Sequence, residues 1–155
     1  MKKALLIFMI ICTGGLTAMA QKLEQVDGKY YKKGMLYSGK HSEYYANGNI
    51  SMELNILNGR ENGAMDLYYE SGGKKEHREY NNGKKTGTWI TWHENGTKIA
   101  EASYLDDVKN GSWFVWNEKG IMMYEMYYDQ GKKTGTWRQW DEKGTLVMER
   151  NYTGE

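Results

Sequence analysis

The feature that most constrains this chain is an internal repeat of 24 residues, anchored by glycines at Gly39, Gly63, Gly87, Gly111 and Gly135. A unit this short cannot close a core of its own and buries its apolar side only against its neighbours. The repeat therefore points to an extended scaffold rather than an enzyme built around one deep site. The blocks at Gly87, Gly111 and Gly135 open with Gly-Thr-Trp-Ile-Thr-Trp, Gly-Ser-Trp-Phe-Val-Trp and Gly-Thr-Trp-Arg-Gln-Trp. All six tryptophans fall in these two columns, Trp89, Trp113 and Trp137 in the first and Trp92, Trp116 and Trp140 in the second. Nine residues after each anchor stands a second glycine, at Gly48, Gly72, Gly96, Gly120 and Gly144. Fourteen residues after it come Glu53, His77, Glu101, Glu125 and Glu149, and seventeen after it Ile56, Tyr80, Tyr104, Tyr128 and Tyr152.

Each block holds two short runs rich in Trp, Tyr, Thr, Val and Ile, split by one glycine turn and closed by another, which predicts a β-hairpin. Asn-Gly at Asn47, Asn58, Asn62, Asn82, Asn95 and Asn110 suits tight hairpin turns, because both residues tolerate positive φ. The chain contains no proline, in keeping with unbroken ladders. The predicted fold is all-β: an open antiparallel array of hairpins forming one elongated, twisted sheet. Its repeats run 39–62, 63–86, 87–110, 111–134 and 135–155. Residues 21–38 form a capping half repeat, in which Lys29 to Ser38 is one residue out of phase. The strand near Tyr152 is expected to be an exposed edge, open to self-association.

Residues 1–20 read as a signal peptide: Lys2 and Lys3, an apolar run from Ala4 to Cys12, and a small-residue cleavage site at Ala18-Met19-Ala20. The run is too short for a transmembrane anchor. Cleavage after Ala20 predicts a secreted or periplasmic protein. It removes the only cysteine, and with it disulfides and thiolate chemistry. It also removes two lysines and no acid, leaving 19 basic against 20 acidic residues. Near-neutral charge argues against general nucleic-acid binding.

The two tryptophan columns are three residues apart, so they point to opposite faces of a regular strand unless a bulge intervenes. One reading has the rings cover the sheet and pack on the intervening strand. The other presents Tyr44, Tyr68, Trp92, Trp116 and Trp140 as an exposed row that binds a partner or a sugar face. Gly39, Gly63, Gly87, Gly111 and Gly135, the indoles Trp89, Trp113 and Trp137, and the acids Glu101, Glu125 and Glu149 are assigned structural roles. The acids are expected to accept hydrogen bonds from backbone, indole or the lysines at Lys85, Lys109 and Lys133. His41, His77 and His93 have no ligand neighbour at a useful spacing, so no metal site is expected. Catalytic residues and cofactors are likewise not expected.

The Gly-x-Trp-x-x-Trp starts at Gly87, Gly111 and Gly135, the turns at Glu94, Glu118 and Glu142, and the Glu-x-x-Tyr strands at Glu101, Glu125 and Glu149 carry a resemblance. Together they resemble the MORN-repeat variant family, and within it the YwqK-like antitoxin repeat proteins. The resemblance spans about Asp27 to Tyr152 and weakens in the first two blocks, where His41 and Met65 replace the first tryptophan. It implies a hairpin array and a non-catalytic role in protein interaction, the partner being an envelope protein or a toxin. Binding of carbohydrate or cell wall through the Trp/Tyr row is the alternative.

Overall fold

The computed structural model describes residues 23–154. The leader and its cleavage site at Ala20 lie outside the described residues. A short N-terminal meander comprises β1 (Glu24–Val26), β2 (Lys29–Lys32) and β3 (Met35–Leu36). The array follows as β4 (Gly39–Tyr44), β5 (Ile50–Leu57), β6 (Arg60–Tyr68), β7 (Lys74–Asn81), β8 (Lys84–Trp92), β9 (Lys98–Leu105), β10 (Val108–Trp116), β11 (Met122–Asp129), β12 (Lys132–Trp140) and β13 (Leu146–Thr153). Strands β4 to β13 form one antiparallel 10-stranded sheet in simple sequence order, so the fold is the hairpin array that the repeat predicts.

Two kinds of turn alternate. Between blocks, Asn58-Gly59, Asn82-Gly83, Asp106-Asp107 and Gln130-Gly131 carry positive φ at both central residues. That is the type I′ geometry whose twist suits adjoining strands. Within blocks, a longer loop spans 45–49, 69–73, 93–97, 117–121 and 141–145, closed at 2.8–2.9 Å by a backbone N–H from its first residue to the carbonyl of its last. Asn-Gly thus serves three purposes, not one. Asn58 and Asn82 open I′ turns, Asn47 and Asn95 lie in the longer loops, and Asn62 and Asn110 precede anchor glycines inside strands. The last two use their side chains: Asn62 Oδ1 accepts the N–H of Asn82 at 3.1 Å and Asn110 Oδ1 that of Gln130 at 3.0 Å, tying each I′ turn to the previous one.

The anchor glycines Gly63, Gly87, Gly111 and Gly135 mark bulges. Leu54 pairs with Met65 and Ile56 with Glu61, so Asn55 alone faces residues 62–64. The same two-residue excess recurs opposite Arg78, Ser103 and Met126. Gly111 has a φ of 103°, and a Cβ there would meet the Ser103 Cβ at 3.0 Å, so both backbone and space demand glycine. The bulge leaves a facing carbonyl free, and the first tryptophan column takes it. The indole N–H groups of Trp89, Trp113 and Trp137 donate to the carbonyls of Glu79, Ser103 and Tyr127, each at 3.0 Å. Where Met65 replaces the indole, the Asn55 amide donates back across the bulge to the Ala64 carbonyl at 2.8 Å.

The cap does not continue this ladder. Five positions separate Gly34 from Gly39, against four from Gly59 to Gly63, and a one-residue slip reverses the faces of a strand. Strands β1 to β3 accordingly pair into a separate three-stranded sheet. The cap docks on the first I′ turn instead, through Tyr30 N–H to the Gly59 carbonyl at 2.8 Å and Gly59 N–H to the Tyr37 carbonyl at 2.7 Å. Leu54 and Ile56, at this end of the array, are the most deeply buried apolar residues among those described, 0 % and 4 % exposed.

Candidate functional site

The sheet has two unlike faces, and the tryptophan columns divide between them. On one face a continuous ladder of rings crosses seven strands: Tyr80, Trp89, Tyr104, Trp113, Tyr128, Trp137 and Tyr152, with successive centroids 4.9 to 5.6 Å apart. Rings of the same column, two strands apart, do not touch. The tyrosine of the intervening strand fills each gap, and every contact is tilted or edge-on, as ring quadrupoles prefer. Each such pair is worth about 0.5–1.5 kcal/mol beyond the area it buries. Trp137 is the buried ring of this ladder and the other six are half-buried. Lys85, Lys109 and Lys133 cover it, their Nζ atoms 4.9, 4.1 and 4.6 Å from the centroids of Trp89, Trp113 and Trp137.

The opposite face carries the acids. Cross-strand register aligns Ser42, Glu53, Asp66, His77, Ile90, Glu101, Phe114, Glu125, Arg138 and Glu149 as direct neighbours in one row across all ten strands. The carboxylates of that row are tied to cations on their own face. Lys40 pairs with Glu53, and Lys74 with Asp66 at 3.0 Å. Lys98 pairs with Glu101, and Arg138 bridges Glu125 and Glu149 at 2.8 Å each. His77 Nδ1 lies 2.8 Å from Asp66 Oδ1.

The sequence reading placed Lys85, Lys109 and Lys133 and the indoles among the donors to the acid column. The structure corrects this. Those lysines lie over the rings of the far face, because alternation along β8, β10 and β12 sends them there, and the indoles donate to backbone carbonyls. The true partners were hidden for another reason. Asp66, Ile90, Phe114 and Arg138 share one repeat position, three after the anchor, yet have no chemistry in common. Only the register shows that they complete the acid row.

Electrostatics suit a row of hydrogen-bond acceptors. The Tyr127 hydroxyl and the Arg138 guanidinium hold the Glu125 carboxyl below the ordinary range, against a smaller opposing effect of burial. At Asp66, burial works upward, and the hydrogen bonds and charges of His77 and Lys74 outweigh it, so the net shift is downward. Both groups are therefore ionised at neutral pH.

Beside this row runs the second aromatic column. Tyr44, Tyr68, Trp92, Trp116 and Trp140 sit two residues beyond Ser42, Asp66, Ile90, Phe114 and Arg138, hence on the same face and about 7 Å further along each strand. Tyr44 is 63 % exposed; the other four are half-buried. They are separate platforms, unlike the ring ladder opposite. Trp116 packs on Phe114 with centroids 5.9 Å apart, and Lys98 Nζ lies 5.6 Å from its ring. Tyr68 offers its hydroxyl to Glu53. Among the described residues, no group of three His, Cys, Asp or Glu is placed to hold a metal, and no helix is long and apolar enough to cross a membrane.

This geometry has a family counterpart. Three of the hairpins match the MORN repeat variant. The matched segments are 37–58, 85–106 and 133–153, which take in β4–β5, β8–β9 and β12–β13 with their loops. The intervening hairpins β6–β7 and β10–β11 keep the same loop geometry and pairing. MORN repeats serve in general as modules of protein and membrane interaction. No curated protein matches the chain.

Proposed function

We infer that this chain is a non-catalytic, secreted or periplasmic interaction module that binds another protein through the face carrying Tyr44, Tyr68, Trp92, Trp116 and Trp140. The supporting observation is the juxtaposition of two rows on one face of the sheet, aromatic platforms beside charged groups in fixed register, extending over roughly 43 Å of stacked strands. Such a surface offers apolar anchors with a polar surround, the composition in which aromatic residues and Arg carry binding energy. The resemblance to YwqK-like antitoxins suggests an immunity role toward a toxin met in the envelope. The alternative, binding of carbohydrate, draws on the same juxtaposition, since a ring beside a carboxylate can both stack on and hydrogen-bond a sugar.

Immobilised chain starting at Gln21 should retain a stoichiometric protein from an envelope extract of its source. The variant Trp92→Ala, Trp116→Ala, Trp140→Ala, with its far-UV spectrum unchanged, should lose it. Retention of glycan in place of protein, together with tryptophan quenching by soluble sugar fragments, would replace the first reading by the second.

A further inference from the structure

Lys85, Lys109 and Lys133 occupy one repeat position, two before an anchor glycine, and pair across the sheet with Tyr80, Tyr104 and Tyr128. Their ammonium groups lie over the ring ladder, and among the described residues none of the three enters an ion pair. On the other face, by contrast, Lys40, Lys74, Lys98 and Arg138 are all matched to carboxylates. The cationic row stops at the first block, where Glu61 holds the same position and accepts the Tyr30 hydroxyl of the cap at 3.1 Å. An ammonium has three donors, and a ring face beneath it leaves some of them free for an anion.

The spacing of these points selects among extended ligands. Equivalent residues lie two strands apart, about 9.6 Å, so the three lysines span about 19 Å. A β-strand returns to one face about every 6.7 Å and falls out of step. An α-helix returns after seven residues, about 10.5 Å, and is out by about 2 Å over two steps. A polyproline II helix returns after three residues, about 9.3 Å, and stays within about 1 Å over the same distance. Its proline rings also favour surfaces lined by Trp and Tyr.

The geometry points to a second recognition surface: the lysine row on the Trp–Tyr ladder binds a polyproline II segment of a partner protein that carries a carboxylate at every third residue. This rests on the reading of the chain as a protein-interaction module, but places the contact on the face opposite Trp92, Trp116 and Trp140. The cation row, unmatched within the sheet, meets a complementary anion row of the same period.

The test is calorimetric titration of the full chain with a nonapeptide of three Asp-Pro-Pro triplets, and with a peptide of the same composition whose three aspartates are adjacent. The triplet peptide should bind at least about tenfold more tightly. The variant Lys85→Met, Lys109→Met, Lys133→Met keeps the stems over the rings and should lose that preference, while the corresponding arginine variant should keep it. Replacing Trp92, Trp116 and Trp140 should leave it unchanged. Equal affinity for the two peptides, binding that survives the methionine variant, or binding to neither peptide would each overturn the inference. So would a response to phosphatidylglycerol vesicles in place of peptide. Because the peptide comparison uses the unaltered chain, it stands even if the methionine variant fails to fold. Capture through the Trp92 row is a separate readout, so either surface can fail without the other.

Discussion

At the level of single residues, stability depends on groups that repair what the bulges disturb. The indole of Trp113 reaches the Ser103 carbonyl at 3.0 Å and packs edge-on between Tyr104 and Tyr128. Trp113→Phe keeps a ring in the ladder and leaves that carbonyl without its donor, so urea unfolding should show a loss of about 1–3 kcal/mol. Trp116→Phe, on the other face, has no such bond to lose and should cost less. A measured loss at Trp113 no larger than at Trp116 would show that water or a shifted backbone satisfies the carbonyl instead. The importance of the first column was legible in the sequence as a repeated tryptophan. Its partner was not, because a backbone carbonyl leaves no trace in residue identity.

For the strands as elements, the acid row provides the pH response. Glu125 and Asp66 have folded-state pKa values below the ordinary 4.5 and 3.8, so each contributes stability that is complete above those values and lost as pH falls through its lower folded pKa. The midpoint of thermal unfolding should therefore fall as the solution is acidified below about pH 4.5. Glu125→Gln should flatten part of that decline, since the amide cannot titrate. An unchanged slope in this variant would mean that the Glu125 carboxyl titrates alike in the folded and unfolded chain, against the downward shift. At the opposite extreme, burial and the Glu61 carboxylate push the Tyr30 hydroxyl up to about 12, so the cap loses stability as pH rises from 10 toward that value.

Over the whole molecule, the sheet in simple sequence order makes each hairpin depend on its immediate neighbours, so stability should add up repeat by repeat. Excising residues 87–110 joins Thr86 to Gly111 and restores a Thr-Gly-Ser-Trp start in phase. This chain should fold to a shorter array with a lower unfolding midpoint. Removing 88–110, one residue fewer, leaves an additional glycine in the joined strand, so its alternation slips by one, Trp113 turns to the wrong face relative to Lys85, and the chain should become protease-sensitive at that strand. Equal spectra and equal protease resistance for the two deletions would argue that the repeats fold independently of register.

The sequence by itself determined the period, the hairpin unit and the sheet in chain order, because glycine turns and a two-residue side-chain alternation are local properties written in every block. It also marked which positions carry aromatics and acids. Only the tertiary structure decided which of them share a face. A bulge of two residues at Gly63, Gly87, Gly111 and Gly135, recognisable only from the pairing, sets which residues face one another on neighbouring strands. From that pairing follow the indoles on backbone carbonyls and the completion of the acid row by Asp66 and Arg138. The cap shows the same physics in reverse: one additional residue before Gly39 is enough to break the ladder and turn a half repeat into a separate sheet.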